Sequence, residues 1–319
     1  MLAELTENII RNGKRLSKTD DLSFFIDCDL DELSFYSNEI RKFFRKNVVS
    51  FCTIINGKGG GCSENCKFCA QSAYHNTKSK EYAFLSPSEI LEDFKKRNIG
   101  GIDWYSIVTA GKKLSKENLK KAEETFKLLS ENGEIGLCAS FGLLSYEDFA
   151  ALKKCGVKRC HANIETSRNY FPEICTTHTF DDKINCIKAA KRAGLQVCSG
   201  GIIGMGENWR DRIDMALELA ELDVDSIPLN TLLPVKGTPF EDMKSLDENE
   251  IIRTLCVFRF INPEKEIRIA AGRALISEGG KRAFLSGADA AITGDMLTTT
   301  GTSVESDLKL KREVELNLR

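Results

Sequence analysis

Val48-Val49-Ser50-Phe51-Cys52-Thr53-Ile54-Ile55, followed after Asn56 by Gly57-Lys58-Gly59-Gly60-Gly61 and then Cys62-Ser63-Glu64-Asn65-Cys66-Lys67-Phe68-Cys69, is the passage on which the architecture turns. Its first eight residues are mostly β-branched or aromatic, the composition of a strand. In an open, doubly wound sheet a glycine-rich turn after the first strand would cradle a phosphate. Here the glycines run into cysteines instead. Three thiols at C-x3-C-x2-C on one short loop suit one metal centre. Iron–sulfur clusters are held by cysteine thiolates, and a 4Fe–4S cluster with three such ligands leaves one iron open to a small molecule. The competing readings are a zinc loop or three buried thiols. Structural zinc sites reach four ligands, commonly through paired C-x2-C units, and no second C-x2-C follows.

Outward from this passage, strand-like and helix-like segments alternate. Ser86-Pro87-Ser88-Glu89 opens a helix, with Ser86 as N-cap, Pro87 at the first position and Glu89 three residues on; it runs to Gly100-Gly101. Further strands are expected at 102–109, 134–141, 157–164, 195–203, 224–229, 265–271 and 288–293, with helices between them. Strict alternation implies a parallel sheet with right-handed crossovers. Eight such units in ~250 residues predict a (β/α)8 TIM-type barrel, with its active site at the C-terminal ends of the strands. The expected layout is an N-terminal helical cap over 1–45, the barrel over 46–302 and a charged C-terminal helix over 303–319.

Composition narrows the function classes. The net charge of the 319 residues is −2 with both signs mixed, which argues against a nucleic-acid footprint; Lys95-Lys96-Arg97 and Lys112-Lys113 read as solvated surface. No apolar run approaches the ~20 residues of a membrane span. The start, Met1-Leu2-Ala3-Glu4, has neither the basic nor the apolar region of a secretory signal. Twelve cysteines without such a signal are expected as reduced thiols in the cytoplasm.

Several strands carry thiols or polar groups where aliphatic residues would be ordinary. Cys52, Cys138 and Cys198 fall in strands one, three and five. Asn163 and Glu165, two apart at the end of strand four, face the same way. Ser226 and Asn230 belong to strand six, and Arg268 stands between isoleucines in strand seven. A buried arginine is costly unless paired or set against an anion or cluster. Each residue alone reads as a satisfied core group; their recurrence at one end of the barrel points to a site. Cys160 is out of phase with Asn163 and Glu165 and is expected to face the helices.

The cysteine loop, with Phe68 before its last thiol, resembles that of radical S-adenosylmethionine (radical SAM) enzymes. Further stretches sharpen the resemblance: Asn163-Ile164-Glu165-Thr166-Ser167, Val197-Cys198-Ser199-Gly200-Gly201, Pro228-Leu229-Asn230, Arg268-Ile269-Ala270-Ala271-Gly272-Arg273 and Gly294-Asp295-Met296-Leu297-Thr298-Thr299-Thr300. Together they resemble the biotin synthase family over about residues 45–301. The resemblance implies a 4Fe–4S cluster on Cys62, Cys66 and Cys69 that binds S-adenosylmethionine. Reductive cleavage then gives a 5′-deoxyadenosyl radical, which abstracts hydrogen from dethiobiotin at C9 and C6, and an auxiliary cluster supplies the sulfur. By position, Asn163 and Asn230 hold substrate and ribose, and Glu165 replaces an aspartate at the ribose hydroxyls. Lys183 replaces an arginine at the methionine carboxylate, keeping the charge without the fork. Phe68 and Ile202 pack on adenine, and Thr299 and Thr300 meet the dethiobiotin carboxylate. A small electron donor such as flavodoxin or ferredoxin and a homodimer are implied as well.

The sequence departs from the best-known pattern, a 2Fe–2S auxiliary cluster on three cysteines and an arginine. Cys138, Cys198 and Arg268 match it, but the third cysteine position holds Ser106, while Cys52 replaces a serine on strand one and Ala290 another on the last strand. The expectation is therefore an auxiliary cluster on Cys52, Cys138 and Cys198, of a larger 4Fe type carrying an extra sulfide, with 2Fe–2S as the alternative. Other readings are a related radical enzyme resembling a hydrogenase-cofactor maturase or a methylornithine synthase, and a non-catalytic iron–sulfur carrier.

Overall fold

The computed structural model of the chain describes residues 1–46, 48–294 and 302–317. Helices α1 (Leu2–Arg11), α2 (Phe24–Asp27) and α3 (Leu30–Arg45) precede strand β1 (Ser50–Lys58). There follow α4 (Pro87–Arg97), β2 (Trp104–Thr109), α5 (Lys116–Ser130), β3 (Gly136–Ser140), α6 (Tyr146–Lys154), β4 (Val157–His161), α7 (Phe171–Ile174) and α8 (Phe180–Arg192). The second half holds β5 (Gln196–Cys198), β6 (Gly201–Ile203), α9 (Trp209–Glu221), β7 (Ser226–Thr231), α10 (Glu248–Ile261), β8 (Glu266–Ile269), α11 (Ser277–Phe284), β9 (Ala290–Thr293) and α12 (Val304–Asn317).

All strand pairings are parallel, in the order β5-β4-β3-β2-β1-β9-β8-β7-β6, and a β5–β7 pairing closes the sheet. This is the expected barrel, with β5 and β6 together filling the fifth of its eight positions. The seam joins the chain's early and late parts: Ser50 pairs with Ala290 and Thr53 with Thr293.

Local chemistry fixes where the helices start. Ser86 and Glu89 form the reciprocal capping box expected for α4, and Ser145–Asp148, Thr179–Asp182 and Asn208–Asp211 do the same for α6, α8 and α9. Each such cap is worth about 1 kcal/mol and anchors a helix to the loop that leaves the barrel mouth. At the other end, α3 packs over α10, whose side chains from Leu255 to Ile261 are all buried between it and the barrel. The buried Asp289 carboxylate ties these layers together. It accepts from Arg45 Nε (2.5 Å), Arg259 Nη2 (2.6 Å) and the Ile267 N–H (2.8 Å).

The structure corrects three expectations. The segment 195–203 is not one strand: it breaks at Ser199-Gly200, where the backbone of strand β7 comes so close that a Cβ on Gly200 would lie 2.0 Å from the Pro228 carbonyl oxygen. Strand β4 ends at His161, short of Asn163 and Glu165. The expected helix 278–285 is interrupted at its start, where Glu278, Gly279 and Gly280 all have positive φ.

Candidate active site

The cysteine loop hangs between β1 and α4 as irregular chain, so its shape depends on named hydrogen bonds. Gly60 and Gly61 turn it with φ of +69° and +58°, a region glycine enters without steric cost. A Cβ on Gly60 would lie 2.8 Å from Glu81 Cα. Gln71 receives the Gly60 N–H on its side chain (3.1 Å) and the Cys62 N–H on its carbonyl (3.0 Å). The Cys69 N–H donates to the Cys66 carbonyl (3.0 Å). The loop is also docked on residues 174–178: Lys67 N–H donates to the Ile174 carbonyl (2.9 Å), and Asn65 Oδ1 accepts from Thr176 N–H (3.0 Å).

Cys62, Cys66 and Cys69 open into a cavity of ≈ 400 Å³ at the C-terminal mouth of the barrel. Phe68, Asn163, Glu165, Ile202, Asn230 and Arg268 line the same space. So do Cys52, Cys138 and Cys198, the three interior thiols. Cys160 is buried in the apolar cluster behind the sheet and does not line it. Thr299 and Thr300 lie outside the described residues.

Asn163 and Glu165 do converge, though not through strand alternation. The Gly200 N–H, freed by the break between β5 and β6, donates to Asn163 Oδ1 (3.0 Å). Ile164 and Glu165 N–H both donate to the Gly200 carbonyl (3.0 and 3.1 Å). Glu165 itself sits at φ +71°, a left-handed conformation that costs a non-glycine residue of order 1–3 kcal/mol and often marks a functional position. This turn brings its carboxylate 3.3 Å from Asn163 Nδ2 and 3.7 Å from Lys183 Nζ. Asn230 is clamped in turn by the Gly201 carbonyl and the Ala271 N–H, both at 3.1 Å.

Deeper in the barrel the charges are paired. Glu266 accepts from Arg268 Nη2 (2.5 Å), Arg159 Nη1 (3.0 Å) and Ser226 Oγ (2.7 Å). Burial alone would raise its pKa, but the two guanidiniums hold it down to about 2. Arg159 lies under the Trp104 ring at 3.7 Å. Burial pushes the Cys52 thiol up to about 11 against the pull of Arg268. Burial, with Cys52 and Cys198 as neighbours, raises Cys138 too. Among the described residues, Cys52 Sγ has as hydrogen-bond partner the carbonyl of its neighbour Thr53 at 3.6 Å. Three buried thiols beside a cation form a donor set suited to a metal cluster, whose binding displaces their protons.

Sequence reasoning missed Arg159, His161 and Glu266. All three were within reach of period-2 counting: Arg159 and His161 share a face of β4, and Glu266 shares one with Arg268 on β8. Burial pushes His161 down to about 4, so it lines the cavity as a neutral imidazole. A second group also went unseen. The ligand atoms of Cys66, Cys175 and His178 lie within 4.8 Å of one another, and His178 Nδ1 is 2.6 Å from Glu64 Oε2.

The sequence profile of the Radical SAM superfamily matches residues 58–219, and that of the Biotin and Thiamin Synthesis associated domain matches 228–317. With the closed barrel and the cysteine loop at its mouth, these make the chain a radical SAM enzyme, a class that uses a 4Fe–4S cluster and S-adenosylmethionine. Among solved structures it is similar to a methylornithine synthase (TM-score 0.84, 19% identity, covering 98% of this chain and 96% of that one). It is also similar to a maturase of the [FeFe]-hydrogenase (TM-score 0.82, 14% identity, 98% and 74%). At those identities the likeness is one of fold. Sequence relatives are more specific. A biotin synthase of Alkaliphilus metalliredigens is 52% identical, covering 99% of both chains, and one of Clostridium beijerinckii is 53% identical, covering 96% of both. The chain belongs to the biotin synthase family.

Proposed function

We propose that this chain converts dethiobiotin to biotin by radical sulfur insertion at C9 and C6, with sulfur drawn from an auxiliary cluster on Cys52, Cys138 and Cys198. The observation that carries this reading is the opening of two cysteine triads into one ≈ 400 Å³ cavity, so a substrate between them meets both. When bound, the cluster on Cys62, Cys66 and Cys69 supplies the reductive cleavage of S-adenosylmethionine, and the auxiliary cluster supplies sulfur. The protein's own part is to bind, orient and seal. Glu165 accepts the ribose hydroxyls, its carboxylate held by Asn163 and Lys183. Phe68 and Ile202 pack on adenine. Asn230, fixed by two backbone bonds, offers its remaining amide N–H to the substrate. Arg268 provides positive charge beside Cys52 and Cys198 while Glu266 holds its guanidinium in place. The dethiobiotin carboxylate is assigned to Thr299 and Thr300.

Three interior thiolates suit a 4Fe auxiliary cluster with an extra sulfide, and 2Fe–2S is the alternative. The working cell context is the reducing cytoplasm, with a homodimer as the assembly and a flavodoxin or ferredoxin as the electron donor; no described helix is long and apolar enough to cross a membrane. Anaerobic incubation with dethiobiotin, S-adenosylmethionine and a reductant is expected to yield biotin together with 5′-deoxyadenosine and methionine. Cleavage of S-adenosylmethionine without biotin would refute the substrate assignment. Mössbauer spectra with iron and sulfide counts on Cys52→Ala protein test the ligand set, and a full auxiliary cluster in that variant would remove Cys52 from it.

A further inference from the structure

The Cys66 and Cys175 sulfurs lie 3.6 Å apart, although 109 residues separate them. Cys175 is 4% exposed and follows α7, on the segment that docks the cysteine loop. His178 Nδ1, 3.3 Å from Cys175 Sγ, is 2.6 Å from the Glu64 carboxylate. A contact that short to a carboxylate oxygen needs the proton on Nδ1, so this nitrogen donates and cannot accept from a thiol. Asn65 Oδ1, 3.5 Å away, already receives the N–H of Thr176 (3.0 Å) and of Thr177 (3.3 Å) and the Thr177 hydroxyl (3.2 Å). Two other acceptors stand no nearer than Cys66: Thr177 Oγ1 at 3.6 Å, which already receives the Asn65 N–H (3.1 Å), and His178 Nε2 at 3.9 Å. A thiolate bound to iron has no hydrogen to give. A hydrogen between the two sulfurs in the loaded loop is then the one on Cys175, and the charged Cys66 thiolate, 3.6 Å away, is its strongest acceptor.

We infer that Cys175 is a positioning residue for the radical-generating cluster, donating an S–H···S hydrogen bond to the iron-bound thiolate of Cys66 and so raising the cluster's reduction potential. The inference rests on the reading that Cys62, Cys66 and Cys69 hold that cluster. Hydrogen bonds to ligand sulfurs are among the factors that set iron–sulfur potentials. A donor favours the more negative, reduced state, so its loss makes reduction harder. The Glu64–His178 pair serves the arrangement by keeping Nδ1, the ring nitrogen nearer to Cys175, a donor.

The test is a dye-mediated redox titration of the holoenzyme followed by EPR. The loop cluster is identified by the response of its signal to S-adenosylmethionine. Cys175→Ala is expected to retain full iron and sulfide content but to move the midpoint to more negative potential. A tenfold smaller reduced fraction at fixed potential corresponds to about 59 mV for one electron. Cys175→Ser, which keeps a donor, is expected to recover most of the shift. Cys186→Ala, which removes a buried thiol from α8, is expected to leave the midpoint where it was. An unmoved midpoint in Cys175→Ala overturns the inference, and so does an equal shift in the alanine and serine variants, which would mark a packing effect. Wild-type protein lacking a signal responsive to S-adenosylmethionine would instead overturn the cluster reading beneath it.

Discussion

Replacing Glu266 by glutamine removes the carboxylate that pairs with both Arg159 and Arg268. The structure supplies the magnitude. A drop in pKa from 4.5 to about 2, at 1.36 kcal/mol per tenfold change in proton affinity, corresponds to roughly 3 kcal/mol. Removing one partner of a buried ion pair costs about 3–5 kcal/mol, because the remaining charge stays desolvated. The sign follows from linkage. A carboxylate whose folded pKa is depressed stabilises the protein fully above its unfolded pKa, and that stability is lost as pH falls through the folded value. For Glu266 the window runs from about pH 5 down to about pH 2, and roughly 2 kcal/mol is gone by pH 3. Urea unfolding of cluster-free wild-type and Glu266→Gln protein, followed by circular dichroism, is the assay, since bound metal would add its own proton linkage. The expected result is a gap of about 3 kcal/mol or more at pH 7 that narrows by roughly 2 at pH 3. A gap below about 1 kcal/mol at pH 7, or one that ignores pH, would refute the claim that Glu266 is held ionised between the arginines.

Cys69→Ala is expected to lose the loop cluster and all 5′-deoxyadenosine formation while keeping a wild-type far-ultraviolet spectrum; activity with full iron content would contradict the ligand assignment. Gly200→Ala places a Cβ 2.0 Å from the Pro228 carbonyl oxygen, so a loss of at least about 1–3 kcal/mol is expected, read as a fall in melting temperature. Glu165→Asn keeps a residue type that tolerates left-handed backbone but shortens the side chain away from Lys183. Its thermal stability is expected to hold or rise while S-adenosylmethionine binding weakens by about tenfold or more, measured by equilibrium dialysis.

Much of this was legible in the chain. The run from Val48 to Ile55, the Ser86 cap and the alternation behind them gave eight barrel positions, because strand and helix periodicities are local. Cys52, Cys138, Cys198 and Arg268 could be placed on the interior for the same reason. What stayed hidden depends on tertiary approach. Nothing local in Gly200-Gly201 says that the Pro228 backbone will lie against it where the strand breaks. The left-handed turn at Glu165 sits against that break, with Ile164 and Glu165 sharing the Gly200 carbonyl. Cys175 carries no local signal, because what distinguishes it is Cys66, far away along the chain.

The seam of the barrel also bears on biogenesis. Ser50 cannot meet Ala290, nor Arg45 meet Asp289, until nearly the whole polypeptide has been made. Pairings so distant in sequence form late and slowly, and translation runs at only about 5–20 residues per second. For that interval the strand carrying Cys52 has one unpaired edge, while Cys198 is among the later thiols to emerge. Assembly thus has a built-in order: strands β1 to β5, which carry the three interior thiols, are made before the seam that closes the barrel beside them.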